Sequence, residues 1–147
     1  MKNTTDEYAN EPFPAHGRVE MHLKGKMICV KACGPFNQEL MAALMQLEQA
    51  FLAEAMLSVA PPFLELVQFE VSVLASHEVM HAHAELLKML KAAGMAHQAT
   101  AYVVPRNLEG AMFTTPIAKK NYAAVNWPFE VFETIEDAEQ WLLTRAA

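Results

Sequence analysis

With 147 residues, 53% of them apolar and 19% charged, the chain has the size and composition of one compact domain that buries a core without disulfide or metal staples. No apolar run reaches the roughly 18 residues of a membrane span, and the polar residues 1–7 lack a signal-like apolar stretch, so the sequence argues against an integral membrane segment and secretion and for a cytoplasmic location. Eleven Lys plus Arg against 17 Asp plus Glu leave a net charge of −6, which opposes binding to nucleic acid or anionic lipid; Lys119-Lys120 reads as a solvated pair on a helix.

Residues 1–16, with Pro12 and Pro14, read as a flexible N-terminal arm outside the core, and residues 17–147 as the domain itself. Val19, Met21 and Leu23 alternate with Glu20, His22 and Lys24 as in a half-buried strand, and Lys24-Gly25-Lys26 is a turn. In the next strand Ile28, Val30 and Ala32 point to the core and Cys29, Lys31 and Cys33 away from it, until Gly34-Pro35 ends the pairing. Along a strand the two cysteine Cα atoms lie about 13 Å apart, too far for a mutual disulfide. Free thiols suit a reducing compartment.

Asn37 caps a helix with Glu39 in its first turn and Leu40, Leu44, Leu47 and Phe51 along one face. Pro61-Pro62 closes the linker, and residues 63–73 read as a strand whose apolar pattern is interrupted by Glu65 and Gln68. A helix follows from its cap Ser76 to Ala93, stopped by Gly94. Residues 98–104 are β-rich up to Pro105. Thr115-Pro116 has the pattern of an N-cap and first-turn proline for a helix running to Val125. Phe129-Glu130-Val131-Phe132 is a short strand, and Thr134 caps a last helix with Glu136 and Asp137 at its positive end and Trp141 and Leu142 for the core.

The succession β-β-α-β-α-β-α-β-α predicts an α/β fold: a mixed, mostly parallel sheet covered by helices, with an antiparallel hairpin at one edge. With Gly34-Pro35-Phe36-Asn37 opening the first helix and residues 129–142 closing the chain as strand, turn and acidic helix, the sequence resembles the SpoIIAA-like branch of the STAS, or anti-sigma-factor antagonist, fold family over residues 17–144. The resemblance implies a regulatory protein with a protein partner, and a serine phosphorylated in an Asp-Ser-Ser-Gly type motif after the third strand. Here that stretch is Glu70-Val71-Ser72-Val73-Leu74-Ala75-Ser76-His77. Ser72 and Ser76 match by position, but the aspartate and glycine are missing. The branch is also similar in shape to CRAL-TRIO lipid carriers, which implies an apolar ligand between helices and sheet. Ten Met and eight Phe suit such a pocket, as they suit an ordinary core; the Met-rich helices also admit a homodimer.

His77-Glu78-x-x-His81 matches the string in which a helix offers two imidazoles to zinc and a glutamate activates the bound water. At about 100° per residue, however, Val79, His83, Leu86, Leu87 and Leu90 share one face while His77 and His81 lie on the opposite, solvent-directed one. A third ligand is missing nearby, Glu109 being the distant alternative, so a zinc hydrolase is the minor reading and no cofactor is expected. His83, amid the apolar face, is a candidate ligand-binding residue, and its burial should lower its pKa. Cys33 with His22 lacks an orienting third group for nucleophilic catalysis, and the glycines at 17, 25, 34, 94 and 110 form no phosphate loop. Residues 106–115, after the fourth strand, read either as a mobile flap in which Met112 and Phe113 close over a ligand or meet a partner, or as an ordinary loop anchored by these two side chains. The expectation is therefore a small non-enzymatic binding or regulatory protein that carries an apolar ligand or engages a partner.

Overall fold

The computed structural model describes residues 3–8 and 17–146. It contains β1 (Arg18–Lys24), β2 (Met27–Cys33), α1 (Gln38–Ala55), β3 (Leu64–Glu70), α2 (His77–Ala92), β4 (Ala99–Val103), α3 (Ala111–Ala123), β5 (Phe129–Phe132) and α4 (Ile135–Arg145). The five strands form one sheet in the order β1-β2-β3-β4-β5, with β1 antiparallel to β2 and the remaining pairs parallel.

This order determines where the helices sit. Right-handed crossovers in a sheet that advances strand by strand in one direction place every crossover helix on the same face. Thus α1, α2 and α3 cover one side, packing Leu47, Phe51, Val79, Leu87, Ala118 and Tyr122 onto Val30, Val67, Phe69 and Tyr102. Helix α4 follows the last strand and takes the other side. There Ala138 and Leu142 pack on Leu64, Leu66, Ala99, Ala101 and Val103, the two alanines of β4 leaving room for close approach.

The predicted caps form. The side chains of Asn37, Ser76 and Thr134 accept from the backbone N–H groups of Leu40, Val79 and Asp137. In β2, Ile28, Val30 and Ala32 are buried and the cysteines half-buried and free, as the alternation requires.

Three expectations need correction. Helix α3 begins four residues before Thr115, at Ala111, after Gly110 in the left-handed region (φ +84°), and Pro116 lies inside it. The proline reads as a first-turn residue because its fixed φ suits any early helical position; only packing of the preceding turn decides how early. Strand β3 stops at Glu70 instead of Val73, because Val71 turns the chain with φ +67°. Part of the supposed arm belongs to the packed structure: Thr5 is buried in a short 3-10 helix, Thr5–Tyr8, and its hydroxyl accepts from the Val19 N–H. Arg18 pairs with Asp6 beside it. Residues 9–16 of that arm lie outside the described residues.

Candidate functional site: a cavity with a charged end

Between the sheet and the three crossover helices lies a cavity of about 130 Å³. Its walls are almost wholly apolar: Val30, Val67 and Phe69 from the sheet, Leu40 and Leu44 from α1, and Val79, Met80 and Leu87 from α2. Aromatic rings close one flank. Tyr122 stacks on Phe129 at 4.2 Å between centroids and meets Tyr102 and Trp127 edge-on. The Tyr102 and Tyr122 hydroxyls bond to each other at 3.1 Å, and burial raises both pKa values, so both remain neutral phenols.

One end of this apolar space is charged. Glu65 of β3, Glu48 of α1 and His97 of the loop before β4 converge there. His97 Nε2 stands 3.6 Å from Glu65 Oε2 and 3.9 Å from Glu48 Oε1, distances of ion pairing and too long for hydrogen bonds. Glu65 Oε1 accepts from the Thr100 hydroxyl at 3.0 Å, and Thr100 Oγ1 in turn accepts from Trp127 Nε1–H at 3.0 Å. His97 is only 4% exposed and its Nε2 has no hydrogen-bond partner among the described residues; the Thr114 hydroxyl, also at the cavity, has none either.

The three groups settle one another's charge. Burial would strip His97 of its proton, but Glu65 and then Glu48 hold its pKa above the usual imidazole value. Burial would likewise raise Glu65, but His97 and the Thr100 hydroxyl bring it below the usual carboxylate value. Glu48 loses the contest: burial and the Glu65 charge push it up to about 7 against the pull of His97. The surroundings thus favour the charged forms of His97 and Glu65, beside a Glu48 carboxyl whose pKa is pushed up to about 7.

The sequence-derived candidates fall in different places. His83 lines the cavity, half-buried, with Nδ1 3.1 Å from the Asn121 amide nitrogen and its ring edge-on to Tyr122. Burial lowers its pKa to about 4, with Glu65 working the other way. Between pH 4 and about 6.5 the unfolded chain therefore binds a proton that the folded chain refuses, so this residue's contribution to stability is complete above pH 6.5 and is lost as pH falls towards 4. The unfolding free energy of wild type relative to His83→Gln, from urea titrations, should accordingly be larger at pH 7.5 than at pH 5; the opposing titration of Glu48 cancels in this comparison. An unchanged difference would mean an imidazole of ordinary pKa.

Met112 and Phe113 do not line the cavity. They lie in the first turn of α3, Met112 93% exposed and Phe113 edge-on to His77. The flap around them is held: Val73 N–H donates to Glu109 O at 2.8 Å, and the Ser72 hydroxyl donates to Glu109 Oε1 at 2.7 Å. That bond engages Glu109 away from the His77 string. His77, Glu78 and His81 are exposed, and no third donor joins them among the described residues. His22 stands opposite Cys29, while Cys33 stands opposite Arg18 with its pKa raised by burial, which disfavours the thiolate that a nucleophile would need. Ser72 is 1% exposed and Ser76 is an exposed helix cap.

Sequence reasoning missed the charged end. Glu48 continues the stripe of Leu40 and Leu44 at four-residue spacing, and Glu65 shares the two-residue period of Phe63 and Val67, so both sit on inward faces and were legible there. His97, Thr100 and Trp127 carried no comparable signal.

No family model matches the chain, and no curated protein matches it. Among solved structures, the crystal structure at 2.25 Å of an uncharacterized protein of the DUF3478 family with a SpoIIAA-like fold, from Shewanella loihica PV-4, superimposes with a TM-score of 0.53. The match covers 90% of this chain and 98% of that one at 19% identity. The fold is SpoIIAA-like. The expected STAS architecture is therefore the observed one, and this SpoIIAA-like sheet, mostly parallel with a hairpin edge, carries the cavity on its three-helix face. None of the helices among the described residues is long and apolar enough to cross a membrane.

Proposed function

We propose that this SpoIIAA-like protein is a non-enzymatic, cytoplasmic binding protein for a small amphipathic molecule, taken up between the three crossover helices and the sheet. One observation carries the reading: an apolar cavity of about 130 Å³ whose charged end holds a buried polar atom with unused bonding capacity, His97 Nε2. An apolar body recovers hydrophobic free energy along the walls, and a polar end satisfies the orphaned imidazole nitrogen. His83, on the α2 wall, is a ligand contact in this reading.

The experiment fills the space from within. Ala118 is fully buried on the α3 wall, and a phenyl ring at that position grows into the cavity. Ala118→Phe should abolish binding of a short-chain fluorescent fatty acid seen with wild type, at a stability cost of no more than about 1–3 kcal/mol. Undiminished binding by a folded Ala118→Phe variant, or a wild type that binds no such probe and carries no adduct in native mass spectrometry, would sink the carrier reading.

A second reading, a regulator that engages a protein partner, has its own support. Val71, Leu74, Met112 and Phe113 are large apolar side chains left exposed where the loop after β3 meets the start of α3. In this reading Met112 and Phe113 contact the partner, and Ser76 is the accessible phosphorylation position, Ser72 being buried against Glu109.

A further inference from the structure

We propose that Glu48, Glu65 and His97 form a binding site for one divalent first-row transition-metal ion of the zinc class. Their ligating atoms, two carboxylate oxygens and one imidazole nitrogen, all lie within 4.8 Å of one another, the only such group of three among the described residues. Around a four-coordinate ion with bonds of about 2.0–2.1 Å, neighbouring donors stand roughly 3.4 Å apart. His97 Nε2 is already 3.6 Å and 3.9 Å from the two carboxylates, so small side-chain rotations complete the shell.

Burial and bonding point to the same occupant. A side chain as deeply buried as His97, with its Nε2 lacking a hydrogen-bond partner and aimed between two carboxylates, is an unfilled position in the bonding of the core. The two carboxylates balance the charge of a divalent ion once the imidazole is neutral. Magnesium and calcium call for six or more oxygen donors, whereas a mixed nitrogen and oxygen set suits zinc and its neighbours. An outer shell is in place: the Trp127 N–H fixes Thr100, whose hydroxyl holds Glu65 Oε1 and leaves Oε2 for the ion. The fourth position faces the cavity and accepts a water or the polar end of a ligand. Occupancy requires no apolar ligand, so the site stands or falls separately from the carrier reading.

The test uses chelator-stripped protein without added lipid, titrated with Zn²⁺ by calorimetry and with Co²⁺ by visible absorption. One ion per chain is expected, with affinity weakened more than roughly tenfold in Glu48→Gln and unchanged in the His77→Ala/His81→Ala double variant. Glu48 is half-buried and glutamine conserves its volume, and a cooperative thermal melt establishes that the variant folds. In wild type, Zn²⁺ should also shift the His97 ring resonances and leave those of His81 in place, which requires no variant. No saturable binding at one per chain, or an ion lost with His77 and His81 but retained in Glu48→Gln, would overturn the site.

Discussion

Glu65→Leu is expected to destabilise the protein by about 3–5 kcal/mol at pH 7, the usual cost of leaving one member of a buried ion pair without its partner. Glu65 is the acceptor for Thr100 and the nearer counter-charge of His97, and both groups are buried. Its removal leaves a hydroxyl without an acceptor and leaves His97 with the more distant Glu48, itself penalised by burial, as counter-charge, so His97 either surrenders its proton or keeps it against a weaker partner. Urea unfolding in the presence of a chelator measures the cost without any contribution from metal. Glu65→Gln keeps an oxygen for Thr100 and should cost less. The double variant Glu65→Leu/His97→Phe should recover much of the loss, since removing both charges removes the desolvation problem as well. A loss below about 1 kcal/mol in Glu65→Leu would mean that the pair is not charged in the folded protein.

Gly110→Ala is expected to cost about 3 kcal/mol and lower Tm by about 10 °C. Two terms add. The position has φ +84°, where an L side chain costs roughly 1–2 kcal/mol, and a Cβ there would lie 2.7 Å from both Cα and N of Leu74, backbone atoms that cannot move aside alone. Displacing this backbone also pulls on the neighbouring Val73–Glu109 and Ser72–Glu109 bonds that tie the start of α3 to the loop after β3. Gly25 supplies the control, with φ +59° and nothing within 4 Å of where an alanine methyl would stand, so Gly25→Ala carries the conformational cost alone, about 1 kcal/mol. Equal Tm shifts in the two variants, followed by circular dichroism, would show that the Leu74 contact yields and that the loop is softer than its bonds suggest.

The local signals were the legible ones. Asn37, Ser76 and Thr134 each cap with their own side chain within three residues, and Ile28, Val30 and Ala32 sort from Cys29, Lys31 and Cys33 by the two-residue period of any strand. The start of α3 was illegible for the complementary reason. Ala111-Met112-Phe113-Thr114 become helical behind a left-handed glycine that has no side chain to cap with, and the loop from β3 holds the turn in place. The same tether turns the supposed flap into an anchored segment.

The order of elements, and with it the mostly parallel sheet and its hairpin edge, was written in the linear pattern of residues, because period and caps are properties of close neighbours and crossover handedness does the rest. The site was not, and it came from packing. Glu48, Glu65 and His97 belong to a helix, a strand and a loop well separated along the chain, and no spacing rule joins them. Their charges are decided later still, because burial penalises each ion and the neighbours brought by packing determine which of them keeps its charge.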